Sequence, residues 1–420
     1  SASTDDVIIT VDEVPTVAAA GPDQTLCDTT ATTLAANTPT VGTGLWTVIS
    51  GAGSVTTPAS PTSTVTGLVA GATTVLRWTI SNGACTPSTD DVSITIDQAP
   101  TTANAGPDQN LCNDTTTTLS ANSAGIGTGV WSVISGTATV TTPTSPTSGV
   151  TGMVVGASAT LRWTISNGTC PPSTDDITIT IDPPPTTASA GTDQDLCNVT
   201  TATLAGNSPT VGTGLWTVVS GTATITTPTL STSAITGLVP GDSVTLRWTI
   251  TNGSCPTSSD DVTINVDELP TTAAAGPDQN LCNVTIATLA GNSPTVGTGL
   301  WSVVSGTATV TTPSSPSSGV TGLVVGSSVT LRWTISNGVC GTSTDDVVIN
   351  IDEAPTVASA GPDQDLCDTT ATTLAANAPA VGVGTWSVVA GTATVTTPGS
   401  PTSTVTGLVV GSSATLRWTI

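Results

Sequence analysis

The chain of 420 residues contains no lysine, no histidine, no phenylalanine and no tyrosine, and only one methionine. Five arginines face 29 acidic residues, giving a formal charge of -24. Nucleic acid and anionic membrane surfaces are poor partners for such a chain, because binding either requires clustered cations. Without histidine or lysine the usual general bases and amine nucleophiles are missing. Lysine–asparagine isopeptide crosslinks are excluded for the same reason. No apolar run approaches the roughly 20 residues that a membrane-spanning helix needs. The only aromatic side chains are ten tryptophans. Thr, Ser, Val, Gly and Pro dominate what remains, a mixture that favours strands and turns over helices.

What is present is a repeat. Leu76-Arg77-Trp78-Thr79-Ile80-Ser81-Asn82-Gly83 returns at Leu161, at Leu246 (with Thr251 for Ser) and at Leu331, and a fifth copy runs from Leu416 to Ile420. The spacing is 85 residues each time. Such a period points to tandem modules, each with its own small core. Residues 1–14 match Asp90 to Asp97 and read as the last strand of a preceding module. Modules are expected at 15–99, 100–184, 185–269, 270–354 and 355–420, the fifth lacking its last strand. Pro15, Pro100, Pro185, Pro270 and Pro355 mark short, stiff linkers. The sequence reads as a segment of a longer array, with any targeting or anchoring signal outside it.

Within a module, about seven short stretches of alternating apolar and polar residues are separated by Gly, Pro and Asn-Gly turns, and none shows a 3.6-residue period. That is the pattern of an all-β, immunoglobulin-like sandwich. Leu76, Trp78 and Ile80 share one face of a strand, with Arg77 and Thr79 on the other. Trp46 and Trp78 are expected in the core, one on each sheet, as are Trp131, Trp163, Trp216, Trp248, Trp301, Trp333, Trp386 and Trp418. Removing them would leave no aromatic in any core, so none is spare for stacking on sugars. Arg77 is expected to pair with a nearby aspartate.

Nine cysteines occupy two repeat positions: Cys27, Cys112, Cys197, Cys282 and Cys367 at one, Cys85, Cys170, Cys255 and Cys340 at the other. Regular spacing in an acidic, Thr-rich chain indicates disulfides and an oxidising, extracellular setting. Metal ligation would want C-x-x-C pairs or histidine. A bridge within each module, Cys27 to Cys85, is the expected pairing and would contribute about 4 kcal/mol in the chain-entropy model. The alternative is Cys27 to Cys170, joining neighbours. It is favoured if the first turn and the last hairpin lie at opposite poles of the sandwich.

Carboxylates recur with the same period. If first and last strands run parallel, Asp90, Asp91 and Asp97 would meet Asp12 and Glu13 near a junction. They would then form candidate Ca²⁺ ligands, as would Asp175, Asp176, Asp182, Asp260 and Asp261 farther along. The competing reading is turn capping and solubilising edge charge. Asp90 and Asp91 are adjacent, so on a strand they point to opposite faces and cannot flank a glycosidic bond. No catalytic residue is assigned. Asn113, Asn198 and Asn283 at one repeat position, and Asn167 and Asn252 at another, lie in N-glycosylation sequons.

Ala20-Gly21-Pro22-Asp23-Gln24-Thr25-Leu26-Cys27, Gly44-Leu45-Trp46-Thr47-Val48, Leu76 to Cys85 and Thr89-Asp90-Asp91-Val92 resemble the PKD-like and Ig-like repeats of Bacteroidota cell-surface proteins. Gliding-motility adhesins exported by type IX secretion are the nearest association. The resemblance covers every module and implies a cell-surface, filamentous or adhesive protein. Its first partners would be other modules of the same chain, and the membrane would be reached only through an anchor outside this segment. Three readings follow: a stiff disulfide-stapled stalk, a multivalent glycan-binding array using loops such as 37–44, and a fibre assembled by exchange of the 1–14 strand between neighbouring filaments. In the third, Cys367 would stay unpaired if bridges were confined to modules.

Overall fold

The computed structural model describes residues 3–420 and assigns them strands, turns and extended segments without a helix. The first 85-residue unit shows the design. Its strands are β1 (Gln24–Cys27), β2 (Ala31–Thr33), β3 (Thr43–Ser50), β4 (Ser54–Val55), β5 (Thr64–Thr66), β6 (Ala72–Ser81) and β7 (Ser88–Asp97). Four of them form one sheet in the order β1-β7-β6-β3, and the other three form a second in the order β2-β5-β4. This four-plus-three split is an immunoglobulin-like sandwich. The next three units repeat both sheets. Residues 355–420 keep the three-stranded sheet, and there the larger one is reduced to Thr385–Ala390 paired with Thr415–Thr419.

Period-2 alternation dictates the core. Leu76, Trp78 and Ile80 of β6 and Val92, Ile94 and Ile96 of β7 all point inward and are at most 1% exposed. Leu34, Val65 and Leu68 close the core from the other sheet. Trp46 and Trp78 are both buried, as expected, but they are not one per sheet. They sit directly opposite each other on β3 and β6, with ring centroids 5.1 Å apart at an interplanar angle of 42°. The same tilted pair recurs in all five units. A cross-strand aromatic pair adds about 0.5–1.5 kcal/mol beyond its burial.

A glycine makes room for this pair. A Cβ on Gly44 would overlap the six-membered ring of Trp78, and Gly129, Gly214, Gly299 and Gly384 stand against the second indole of their units in the same way. A second glycine distinguishes the third and fourth units. Where Gly206 and Gly291 replace the alanines Ala36 and Ala121, the Trp248 and Trp333 indoles donate to the Asn207 and Asn292 carbonyls at 3.2 Å. In the alanine-bearing units the corresponding Nε1 atoms of Trp78 and Trp163 have no partner.

Residues 16–20 form no strand and are an extended segment held by side chains. Ser88 Oγ accepts from the Ala18 amide at 2.9 Å, and Asp90 accepts from the Ala20 amide at 2.8 Å. Strand pairing begins only after the Gly21 bend, where β1 runs parallel to β7 from Gln24↔Ile94 to Cys27↔Asp97. Residues 3–14 form no ladder, and Val7, Ile9 and Val11 are more than 80% exposed. Residues 1 and 2 of that stretch lie outside the described residues.

Gly214→Ala should destabilise the third unit by about 1–3 kcal/mol, the usual penalty for overpacking a filled core. Chemical denaturation should show this loss, while Leu215→Ala, at a side chain 47% exposed, should change stability by well under 1 kcal/mol.

Candidate functional site at the module junctions

The parallel register of β1 and β7 decides where the cysteines lie. Cys27 ends β1 beside Asp97, at the trailing end of the first unit. Cys85 lies in the β6–β7 hairpin turn at the leading end, where its thiol donates to the Asp12 carbonyl at 3.5 Å. The ten residues of β7 separate these poles by roughly 30 Å, and a disulfide tolerates a Cα separation of at most about 7 Å. The expected Cys27–Cys85 bridge is therefore wrong. Cys27 bonds Cys170, Cys112 bonds Cys255 and Cys197 bonds Cys340, each spanning 143 residues and joining one unit to the next. Cys85, Cys282 and Cys367 are free. Cys85 and Cys282 thus depart from the paired state expected of them.

Further hydrogen bonds surround each bridge. At the first junction the Asp97 carboxylate crosses to the next unit's hairpin turn, where it accepts from the Thr169 amide at 2.7 Å and the Thr169 hydroxyl at 2.9 Å. Asn167 Nδ2 reaches back to donate to the Gln98 carbonyl at 2.8 Å. Asp182 holds the Ser254 amide in the same way, and Asn252 donates to the Pro183 carbonyl. Asp267 holds the Val339 amide, and Asn337 donates to the Glu268 carbonyl. Asp12 makes the corresponding bond to the Ala84 amide at 2.6 Å, and Asn82 donates to the Glu13 carbonyl.

The hairpin turn must be Asn-Gly for two separate reasons. Asn supplies the amide that reaches across the junction. Gly168 has φ 52°, in the left-handed region, and a Cβ there would fall on the Asp97 carboxylate. The residue after each β1-type cysteine is also left-handed. Asp28, Asn113, Asn198, Asn283 and Asp368 have φ between 46° and 53°, which Asn and Asp tolerate better than other side chains.

Of the sequons, Asn113, Asn198 and Asn283 are exposed at this turn, whereas the Asn167 and Asn252 amides are used in the junction.

The junction is not the carboxylate cluster expected from sequence. First and last strands are parallel, but the acidic side chains go to separate tasks. Asp90, Asp175 and Asp260 accept from the Ala20, Ala105 and Ala190 amides. Asp91, Asp176 and Asp261 form two-pronged pairs with Arg77, Arg162 and Arg247 on the outer sheet face. Asp12, Asp97 and Asp182 hold hairpin amides, and Glu13 contributes its backbone carbonyl. Among the described residues no three acidic, cysteine or histidine side chains gather closely enough to hold a metal ion. The physical reason is the strand itself, which sends Asp90 and Asp91 to opposite faces and leaves Asp97 a full strand length away.

The arginine pairs are the expected surface pairs, exposed by about 40% on both sides. The hydrogen bond from Arg77, aided by its charge and opposed by partial desolvation, holds Asp91 below the ordinary carboxylate value. Asp176, Asp261 and Asp346 are lowered for the same reason. A lowered carboxylate stabilises the fold fully above its unfolded-state pKa and loses that contribution as pH falls through the folded one. Across neutral pH these pairs are constant.

The loop at 37–44, considered for glycan recognition, spends its polar groups on the fold. Asn37 accepts from the Ala19 amide and donates to the Val17 carbonyl, and the Thr40 amide donates to Thr16. Sequence reasoning missed the clamp made by Asp97 and Asn167. The signal available was the period itself, which keeps a strand-end Asp and an Asn-Gly turn in constant phase across every junction.

In Asp97→Ala, hydrogen exchange should show protection of the Thr169 amide falling about tenfold, the effect of losing one bond to a charged acceptor. Protection of the Ser254 amide, held by Asp182, should not change.

No protein-family model and no curated protein sequence matches the chain. Solved structures that align with it include tandem immunoglobulin and cadherin domains. A three-immunoglobulin-domain segment of titin aligns at a TM-score of 0.38 with 12% identity, covering 60% of this chain and 98% of that one. Immunoglobulin domains 1–5 of Sidekick-1 align at 0.31 and 12% identity, covering 81% of each chain. Cadherin domains 1–4 of Drosophila N-cadherin align at 0.26 and 12% identity, covering 79% of this chain and 99% of that one. Scores this low bear no weight, and the assignment of tandem immunoglobulin-like domains rests on the strand order given above.

Proposed function

We propose that this chain is a repeat segment of an extracellular surface adhesin or filament, in which it acts as a stiff stalk. The observation that carries the reading is the junction. Each of the first three is closed by two covalent links, the peptide linker and a disulfide, with an aspartate and an asparagine clamped across the gap. Two tethers side by side remove the hinge freedom that a single flexible linker leaves between domains. Disulfides persist in oxidising compartments, which favours a cell-surface location. The charge of -24 keeps such filaments apart and soluble. The motif resemblance to Bacteroidota surface repeats makes gliding-motility adhesins the family to which a stalk of this kind would belong.

Electron microscopy of the oxidised chain should show straight rods on the order of 200 Å, given roughly 35–45 Å per module. Mild reduction should keep the modules folded and broaden the end-to-end distribution. Rods equally bent before and after reduction would contradict the stalk.

A further inference from the structure

We infer that the three disulfides turn the array into a tension line that cannot be lengthened by unfolding its modules. The inference deepens the stalk reading and rests on it for the presence of a pulling force. It follows from which strands the bridges connect.

Starting at Cys27, the shortest covalent route does not pass through the second unit's sandwich. It crosses the disulfide to Cys170, follows the strand Ser173–Asp182 and the linker, and enters the strand Gln194–Cys197. There it crosses to Cys340. Residues 28–169 and 198–339 hang from this route as closed loops. A second route of the same kind crosses from Cys112 to Cys255 and continues along Ser258–Asp267 to Gln279–Cys282. In the second unit, Ser173–Asp182 of the first route lies beside Gln109–Cys112 of the second, paired in parallel from Ile179↔Gln109 to Asp182↔Cys112. In the third unit the two exchange roles, with Gln194–Cys197 against Ser258–Asp267. Each route thus runs as a last strand in one unit and a first strand in the next.

Lengths decide the consequence. The backbone between Cys170 and Cys197 has a full extension of roughly 90–100 Å at about 3.3–3.6 Å per residue. Much of it is already strand or extended segment, and it spans two modules, roughly 70–90 Å in the folded rod. Pulling between Cys27 and Cys340 can therefore gain at most about 30 Å before the covalent route is taut. Unfolding one 85-residue module without such a bypass would release about 250 Å. The β2-β5-β4 sheet and most of the core are off the line of force. This gives a function to the 143-residue spacing that within-module bridges would not serve. Those would protect each module but leave every linker as the single connection.

The test is single-molecule stretching of the 420-residue chain, with handles attached close to positions 27 and 340. The oxidised chain should extend by no more than about 30 Å before the tether breaks. Reduction after folding should restore successive steps of about 250 Å. Cys170→Ser removes one bridge, leaving a shortest route of about 143 residues through the other two, so it should add roughly 400 Å of length. If that variant does not fold, the reduced wild-type chain still supplies the comparison. Steps near 250 Å in the oxidised chain would overturn the tension line. They would leave the stalk reading intact if the same molecules were straight rods by microscopy, and would sink both if the rods were bent.

Discussion

The parallel pairing of β1 with β7 is the constraint on which the rest of this structure depends. An antiparallel first strand would bring Cys27 back to the leading end, near Cys85, and a module could staple itself. The parallel strand carries Cys27 to the trailing end instead, level with Asp97. The following unit's hairpin turn arrives at the same place, bringing a cysteine, an asparagine amide and an unpaired backbone N–H. Bridge, clamp and linker are therefore consequences of one register, repeated because the sequence repeats without insertion or deletion.

The core and the junction use different chemistry for a reason visible in composition. Each unit has only two aromatic side chains, and both are spent on one cross-strand pair that fills the sandwich. These aromatics sit in the cores and not at the junctions. The junction is instead made of a disulfide and hydrogen bonds from a carboxylate and a carboxamide, groups that hold their geometry without large buried area. A glycine in the turn permits the approach. On the proposed stalk reading, these junction contacts are what would stiffen the array.

Much of this was legible in the residues. Period-2 alternation identified the inward faces of β6 and β7, the spacing of Gly, Pro and Asn-Gly turns gave seven strands, and the recurrence of Arg77 beside acidic residues gave its partner class. What could not be read was three-dimensional phase. Alternation says that Trp46 and Trp78 face inward but not that their strands are adjacent, so placing them on different sheets was as consistent with the pattern as the observed pair. Cysteine spacing likewise allowed Cys27 to meet either Cys85 or Cys170, and loop-closure entropy, which favours neither strongly, could not arbitrate. The carboxylates were counted correctly, but their destinations follow from strand faces and strand ends. Asp90 caps a backbone amide, Asp91 pairs with arginine, and Asp97 crosses to the next unit.

The central claim is that the covalent links run between modules, and peptide mapping of the oxidised chain under non-reducing conditions tests it most directly. The account predicts linked peptides containing Cys27 with Cys170, Cys112 with Cys255 and Cys197 with Cys340. Recovery of Cys27 linked to Cys85, with its 85-residue repeats, would contradict it.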